Sequence, residues 1–331
     1  MSDGTKIEWT DATLNVVNGC SVVSPGCTNC YAMRSGGRNL PHHPATGLTM
    51  PSMAGHVWTG EVRFNDAALL LPLRWKRPRK IFWNAHGDLF HENVPDEWID
   101  RCFAVMGLTP HHVHQVLTKR PGRMRDYLLA DRRDLMNSHA GTMMHWNDMP
   151  SAEWPLPNVW LGTSVEDQER ADERIPVLLA APAAVRWLSM EPLLGPVDLR
   201  RFGMDVHHHP NNDVASPVTQ AIVRAAKRKI GVNSPDWIVV GGESGPGARP
   251  MHPDWARSLR DQCAAAGVPF LFKQWGNWLP VDAGHPELVG PGFGAFDNCK
   301  VNEAGNATHV RVGKKAAGRL LDGVQHDGYP A

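Results

Sequence analysis

The chain has 331 residues, 42% of them hydrophobic, enough for a sizeable core in two domains or in one large α/β barrel. Lys+Arg and Asp+Glu both number 34, and a net charge of +0 excludes a global basic field as the basis of any nucleic-acid binding, while leaving a local patch open. No apolar run approaches a membrane span and no lipidation motif is present, which predicts a soluble, cytoplasmic protein with no membrane partner.

In chain order, residues 7–17 supply a short first strand and lead into the stretch 18–31. There Cys20, Cys27 and Cys30 follow a C-x6-C-x2-C spacing. Gly19, Pro25 and Gly26 break regular structure, so the loop can turn three sulfurs toward one centre. Three thiolates suit a soft metal or an iron–sulfur cluster, and a cubic cluster held by three ligands leaves one iron open to a small molecule. Two other readings stay open at this point. One is a Cys3His zinc site completed by His42 or His43. The other is a reduced loop without metal. A disulfide ranks below both, because cysteines are few and no secretory signal precedes them. Cys102, Cys263 and Cys299 are scattered and form no second set.

Residues 31–34 open a helix, and 36–60, rich in Gly, Pro and His, read as loop. Residues 65–75 have helical apolar spacing with Asn65 or Asp66 as the cap. A regular rhythm then begins. Short apolar strands are predicted over 79–84, 112–117, 158–162, 183–189, 236–240 and 269–272, and helices over 95–106, 122–130, 168–179 and 253–266, the last stopped by Gly267. Irregular insertions are expected near 36–60, 137–157 (a candidate flap) and 203–217, which holds His207, His208 and His209. A helix over 218–229 carries Arg224, Lys227, Arg228 and Lys229. Strands without polar alternation, alternating with helices about seven times, imply an α/β fold: a TIM-like complete or partial (β/α) barrel over 1–276, with a C-terminal extension over 277–331 packed on it.

In such folds the C-terminal ends of the strands carry the chemistry. Here those ends hold the cysteine loop, Gly87 with Asp88, Lys119 with Arg120, Ser164 with Glu166, Glu191, the turn Gly241 to Gly247 containing Glu243, and Lys273 with Gln274. Lys119 and Arg120 suit a carboxylate or phosphate of a substrate. Asp88 can accept from an amine or cap the next helix. Glu166 can hold ribose hydroxyls or simply start a helix. The turn at Gly241 suits an anion or adenosine but matches neither a P-loop nor a dinucleotide fingerprint.

Several stretches together extend these local readings across nearly the whole chain. They are residues 6–11, 19–20, 24–31, 87–91, 117–121, 164–166, 191–195, 241–250 and 272–275. With its three-cysteine loop after the first strand, the chain resembles the radical S-adenosylmethionine (SAM) superfamily, and more narrowly a phage- and prophage-associated radical-SAM-like family of unassigned substrate. The resemblance implies a [4Fe–4S] cluster on Cys20, Cys27 and Cys30, with SAM on the open iron. It further implies an external electron donor and a 5′-deoxyadenosyl radical that modifies or repairs a nucleotide or nucleic acid. On that reading Gly87, Asp88, Ser164 and Glu166 hold SAM, Glu243, Lys273, Gln274 and Glu191 are catalytic, and Lys119 and Arg120 bind substrate. The first cysteine gap of six residues, and Asn29 where an aromatic residue usually stands, depart from the superfamily pattern. The competing expectation is a zinc-stabilised β/α barrel that binds nucleic acid without radical chemistry. A metal-dependent hydrolase using His86 or His91 ranks last.

Overall fold

The structure is a computed structural model that describes residues 2–5, 7–53, 55–144, 153–204, 233–281, 299–301 and 308–330. Its main sheet contains β1 (Ser2–Asp3), β2 (Ala12–Leu14), β3 (Lys80–Trp83), β4 (Val113–Thr118), β5 (Val159–Ser164), β6 (Val185–Met190), β7 (Trp237–Gly241) and β8 (Phe270–Gln274), in that spatial order. β1 is antiparallel to β2, and the other seven strands form the parallel sheet of an open, partial (β/α) barrel with added strands, helices and an extension. The α/β fold class expected from the sequence therefore stands.

The chain divides into two compact units. Unit 1 comprises Met1–Thr163 and Val177–Arg186, and unit 2 comprises Ser164–Pro176 and Trp187–Ala331. In unit 1, Ala12 pairs with Ile81, Ile81 with His114 and His114 with Val159. In unit 2, Trp187 pairs with Trp237 and Ile238 with Phe270, and the register shifts between Val240 and Gly241. All five residues of β7 are buried, as a strand covered on both faces must be. Trp9, Trp83, Trp187, Trp237 and Trp275 are among the largest fully buried side chains, so these tryptophans are core residues.

The helices are α1 (Tyr31–Gly37), α2 (Asp96–Leu108), α3 (Pro121–Leu129), α4 (Arg133–Met144), α5 (Gln168–Ala180) and α6 (Pro253–Ala266). Gly267 ends α6 with φ 66°, the left-handed conformation that glycine adopts without a Cβ penalty. Three local expectations need correction. The helix over 65–75 stops at Leu69, although Asn65 does cap it by accepting from Ala68 N, and a 3-10 turn, Pro72–Arg74, follows. Pro72 has no N–H with which to continue an α-helix. The loop over 36–60 contains a hairpin, Thr49–Ser52 with Gly55–Trp58. Residues 137–144 are helical within α4, because Met136 and Ala140 lie one turn apart and are both buried. His207 to His209 and the basic segment with Arg224, Lys227, Arg228 and Lys229 lie outside the described residues.

Candidate functional site

In unit 1 the ends of β2, β3 and β4 are tied together by side chains. Asn84, at φ 61°, accepts through Oδ1 from Val16 N at 3.0 Å and Val17 N at 2.8 Å. Gly87 then passes so close to the chain that a Cβ there would lie 2.5 Å from the Val17 carbonyl oxygen. That close approach delivers Asp88, which is buried. Its Oδ1 accepts from Thr118 Oγ1 at 2.7 Å and Phe90 N at 2.9 Å, and its Oδ2 from Lys119 N at 3.2 Å and Arg120 Nη1 at 3.1 Å. Four donors saturate a carboxylate, so Asp88 acts as a latch between the β3 and β4 ends. Arg120 Nε also donates to Glu92 Oε2 at 2.6 Å, and Nη1 to Cys20 Sγ at 3.6 Å. Burial works against the Arg120 charge, but the Asp88 and Glu92 carboxylates outweigh it and hold the guanidinium protonated.

Burial pushes the Cys20 thiol up to about 12, Asp88 adds to the shift, and Arg120 only partly offsets it. Cys27 Sγ lies 3.9 Å from Ser24 Oγ, while Cys20 and Cys30 pack against the cluster of Ala32, Met33, Ala45, Leu48 and Trp58. His43 is turned toward Ala45, whose N–H its Nδ1 accepts, and His86 is pushed down to about 4 by burial and by His43. Among the described residues, no group of three or more His, Cys, Asp and Glu side chains can hold a metal ion.

That finding corrects the expectations built on the cysteine loop. It overturns the [4Fe–4S] cluster on Cys20, Cys27 and Cys30, the Cys3His zinc alternative, and the metal-dependent hydrolase with His86 or His91. With the cluster go the radical SAM assignment, SAM as cofactor and partner, the external electron donor, and radical modification of a nucleotide or nucleic acid. The physical reason lies in the loop: burial and Asp88 keep Cys20 a neutral thiol despite its contact with Arg120, whereas a soft metal is ligated by thiolate. Spacing brought the cysteines into one loop without fixing where their sulfurs point.

In unit 2 the strand ends hold three ion pairs. Glu166 is fully buried and pairs with Arg174 Nη1 of α5 at 3.0 Å, and the same Nη1 donates to the Ser164 carbonyl at 3.0 Å. Ser164 and Glu166 thus anchor α5. Glu243 receives Arg249 Nε on Oε2 at 2.9 Å, Arg249 Nη2 on Oε1 at 2.7 Å, and Arg249 N on Oε2 at 2.9 Å, which braces the turn after β7. Gln274 Nε2 donates to the Gly242 carbonyl at 2.8 Å, while its buried Oε1 has no hydrogen-bond partner among the described residues.

The third pair differs in access. Lys273, next to the end of β8, places Nζ 3.0 Å from Glu191 Oε1 and 3.2 Å from Oε2, and Glu191 directly follows β6. The two side chains are 17% and 13% exposed, so they are held in place and still reachable. Ser189 Oγ approaches Glu191 Oε2 at 3.4 Å.

A family model described as a protein of unknown function (DUF5131) matches residues 4–330. The chain belongs to the DUF5131 family. No curated protein matches this DUF5131 chain. Among solved structures it is similar to a cysteine-to-serine mutant of spore photoproduct lyase, with 10% identity, a TM-score of 0.35, and 94% of this chain and 71% of that chain covered. A spore photoproduct lyase complexed with dinucleoside spore photoproduct gives the same identity and coverage with a TM-score of 0.36.

The sequence singled out the acidic residues of these pairs and missed most of their partners. Arg174 and Arg249 each lie within eight positions of their carboxylates, a spacing that marks a local brace rather than a ligand contact. A second buried network also went unread: Asp100 accepts from Tyr127 Oη at 2.8 Å and from Arg132 Nε at 2.7 Å.

Proposed function

We propose that unit 2 binds a small molecule through an anionic oxygen, with Lys273 as the receiving cation and Glu191 as the carboxylate that holds the ammonium in readiness. The observation that carries this reading is the partly exposed Glu191–Lys273 pair at the C-terminal ends of parallel strands, where open α/β sheets take their ligands. An exposed Lys–Glu pair contributes about 0–1 kcal/mol, and a buried one recovers little beyond its desolvation cost. A pair of intermediate depth therefore adds little to stability, and its accessible cation is available to a ligand. Glu243 and Gln274 serve the same site as scaffold, through Arg249 and the Gly242 carbonyl. No helix among the described residues is long and apolar enough to cross a membrane. A cytoplasmic location belongs to this reading and rests on the balanced charge and the few cysteines.

The test is a titration with acetate and inorganic phosphate, followed by ligand-observed NMR. The wild-type chain binds at least one of them, and Lys273→Met loses that binding at least tenfold. Glu191→Gln removes the competing carboxylate and tightens the same anion. A purely structural strut gives the opposite pattern, with both variants less stable and no anion bound by any form.

A further inference from the structure

The stretch Arg74-Trp75-Lys76-Arg77-Pro78-Arg79-Lys80 carries five cations in seven positions and no acid, in a chain whose net charge is +0. It runs from the 3-10 turn Pro72–Arg74 into β3, so it lies at the N-terminal end of that strand, whereas the Asp88 latch follows the other end. Arg74, Lys76 and Arg77 are exposed, and none of these three side chains has a hydrogen-bond or ion-pair partner among the described residues. Other arginines of unit 1 are neutralised: Arg101, Arg123, Arg125, Arg132 and Arg133 each face a carboxylate. At the far end of the run Asp11 Oδ2 accepts from the Lys80 backbone N–H at 2.7 Å.

The run is held in place although residues 75–79 form no helix or strand. Trp75 N donates to the Pro72 carbonyl at 3.2 Å, and His111 Nε2 donates to the Trp75 carbonyl at 2.9 Å. The buried His112 donates through Nε2 to the Pro72 carbonyl at 3.2 Å. The Arg79 guanidinium lies over the Trp75 ring, 4.8 Å from its centroid. Like charges crowded on a fixed loop repel one another, and a bound anion relieves that repulsion.

We propose that this loop is a docking surface for an acidic segment of a partner protein, whose neighbouring Asp or Glu side chains pair with Arg74, Lys76 and Arg77. The surface lies in unit 1 and does not depend on the anion site at Lys273. Three observations select that occupant. The paired arginines of unit 1 all take carboxylates, which match the planar guanidinium fork. The patch is short and the chain is neutral, so a long polyanion would extend beyond the patch onto surface that does not attract it, while a short acidic segment matches its extent. The Trp75 ring is engaged by Arg79 and by the His112 edge, which removes it as a stacking platform for a base.

The test is fluorescence anisotropy with a labelled hexaglutamate peptide, and hexaglutamine as the neutral control. The wild-type chain binds hexaglutamate saturably and hexaglutamine not at all, and added salt weakens the binding. Arg74→Gln, Lys76→Gln and Arg77→Gln combined weaken it at least about tenfold. Their urea midpoint matches that of the wild-type chain, because the three side chains hold nothing in the fold. Arg125→Gln, Arg133→Gln and Arg200→Gln combined remove the same charge elsewhere and leave the binding in place. No hexaglutamate binding by the wild-type chain, or equal losses in the two triple variants, overturns the docking surface. A labelled single-stranded oligonucleotide, or vesicles containing phosphatidylserine, bound more tightly than hexaglutamate and lost in the first triple variant, overturns the acidic segment as the occupant.

Discussion

Asp88→Asn isolates the latch in unit 1. The carboxylate accepts four donors, and its side chain and that of Arg120 are 7% and 11% exposed, so solvent screens the pair little. Asparagine can keep Oδ1 for Thr118 Oγ1 and Phe90 N. It then presents an amide N–H to Lys119 N and Arg120 Nη1, which sets donor against donor. Two effects add: the facing donors cost about 1–3 kcal/mol, and a buried guanidinium that loses one partner costs about 3–5 kcal/mol when it is left unpaired. Glu92 still engages Arg120 Nε, so the second cost is only part of that range and the expected loss is about 3 kcal/mol. Urea unfolding followed by tryptophan fluorescence measures it, since Trp9, Trp83, Trp187, Trp237 and Trp275 are all buried. Arg120→Met on top of Asp88→Asn should cost less than the sum of the single changes, as expected for groups in direct contact. A loss under about 1 kcal/mol for Asp88→Asn, or strict additivity, refutes the latch.

Three further outcomes follow from buried groups. Burial pushes His114 down to about 3 and His86 down to about 4, both below the ordinary 6.5 of an unfolded imidazole. The unfolded chain therefore binds protons first. Stability is complete above pH 6.5 and falls as pH drops toward the folded values, by about 1.4 kcal/mol per pH unit per histidine. Urea midpoints at pH 7 and pH 5 measure this, and equal midpoints contradict it. Cys20, kept as a thiol up to about 12, should resist iodoacetamide at pH 8 in the folded chain, and mass spectrometry reads the labelling site by site. Fast labelling of Cys20 goes against its burial. Glu166→Ala strands the buried Arg174 and should cost about 3–5 kcal/mol in urea unfolding, whereas a surface-like loss below about 1 kcal/mol contradicts the anchoring of α5.

The strands and their order were legible because each is a short apolar run bounded by polar turns. β3 to β8 all lie within two residues of the sequence-derived bounds. Residues 137–144 were hidden because His139, Gly141 and Thr142 suggest irregularity, and only Met136 and Ala140 mark the buried face. The strand-end acids were legible as a set, but their roles were not. Sequence places Asp88, Glu166, Glu191 and Glu243 at equivalent positions, while the structure ties Asp88, Glu166 and Glu243 to arginines and leaves the Glu191–Lys273 pair partly exposed. The cysteine loop misled for a related reason. Its spacing is local, whereas the state of Cys20 is set by burial and by Asp88, with Arg120 opposing them, both residues far away in sequence.

The central claim is that Lys273 receives the anionic oxygen of a small ligand. Acetate and inorganic phosphate, each titrated into the wild-type chain and into Lys273→Met under identical conditions, test it most directly. The account predicts saturable binding to the wild-type chain and at least a tenfold loss in the variant. Equal binding by both proteins, or none by either, would contradict it.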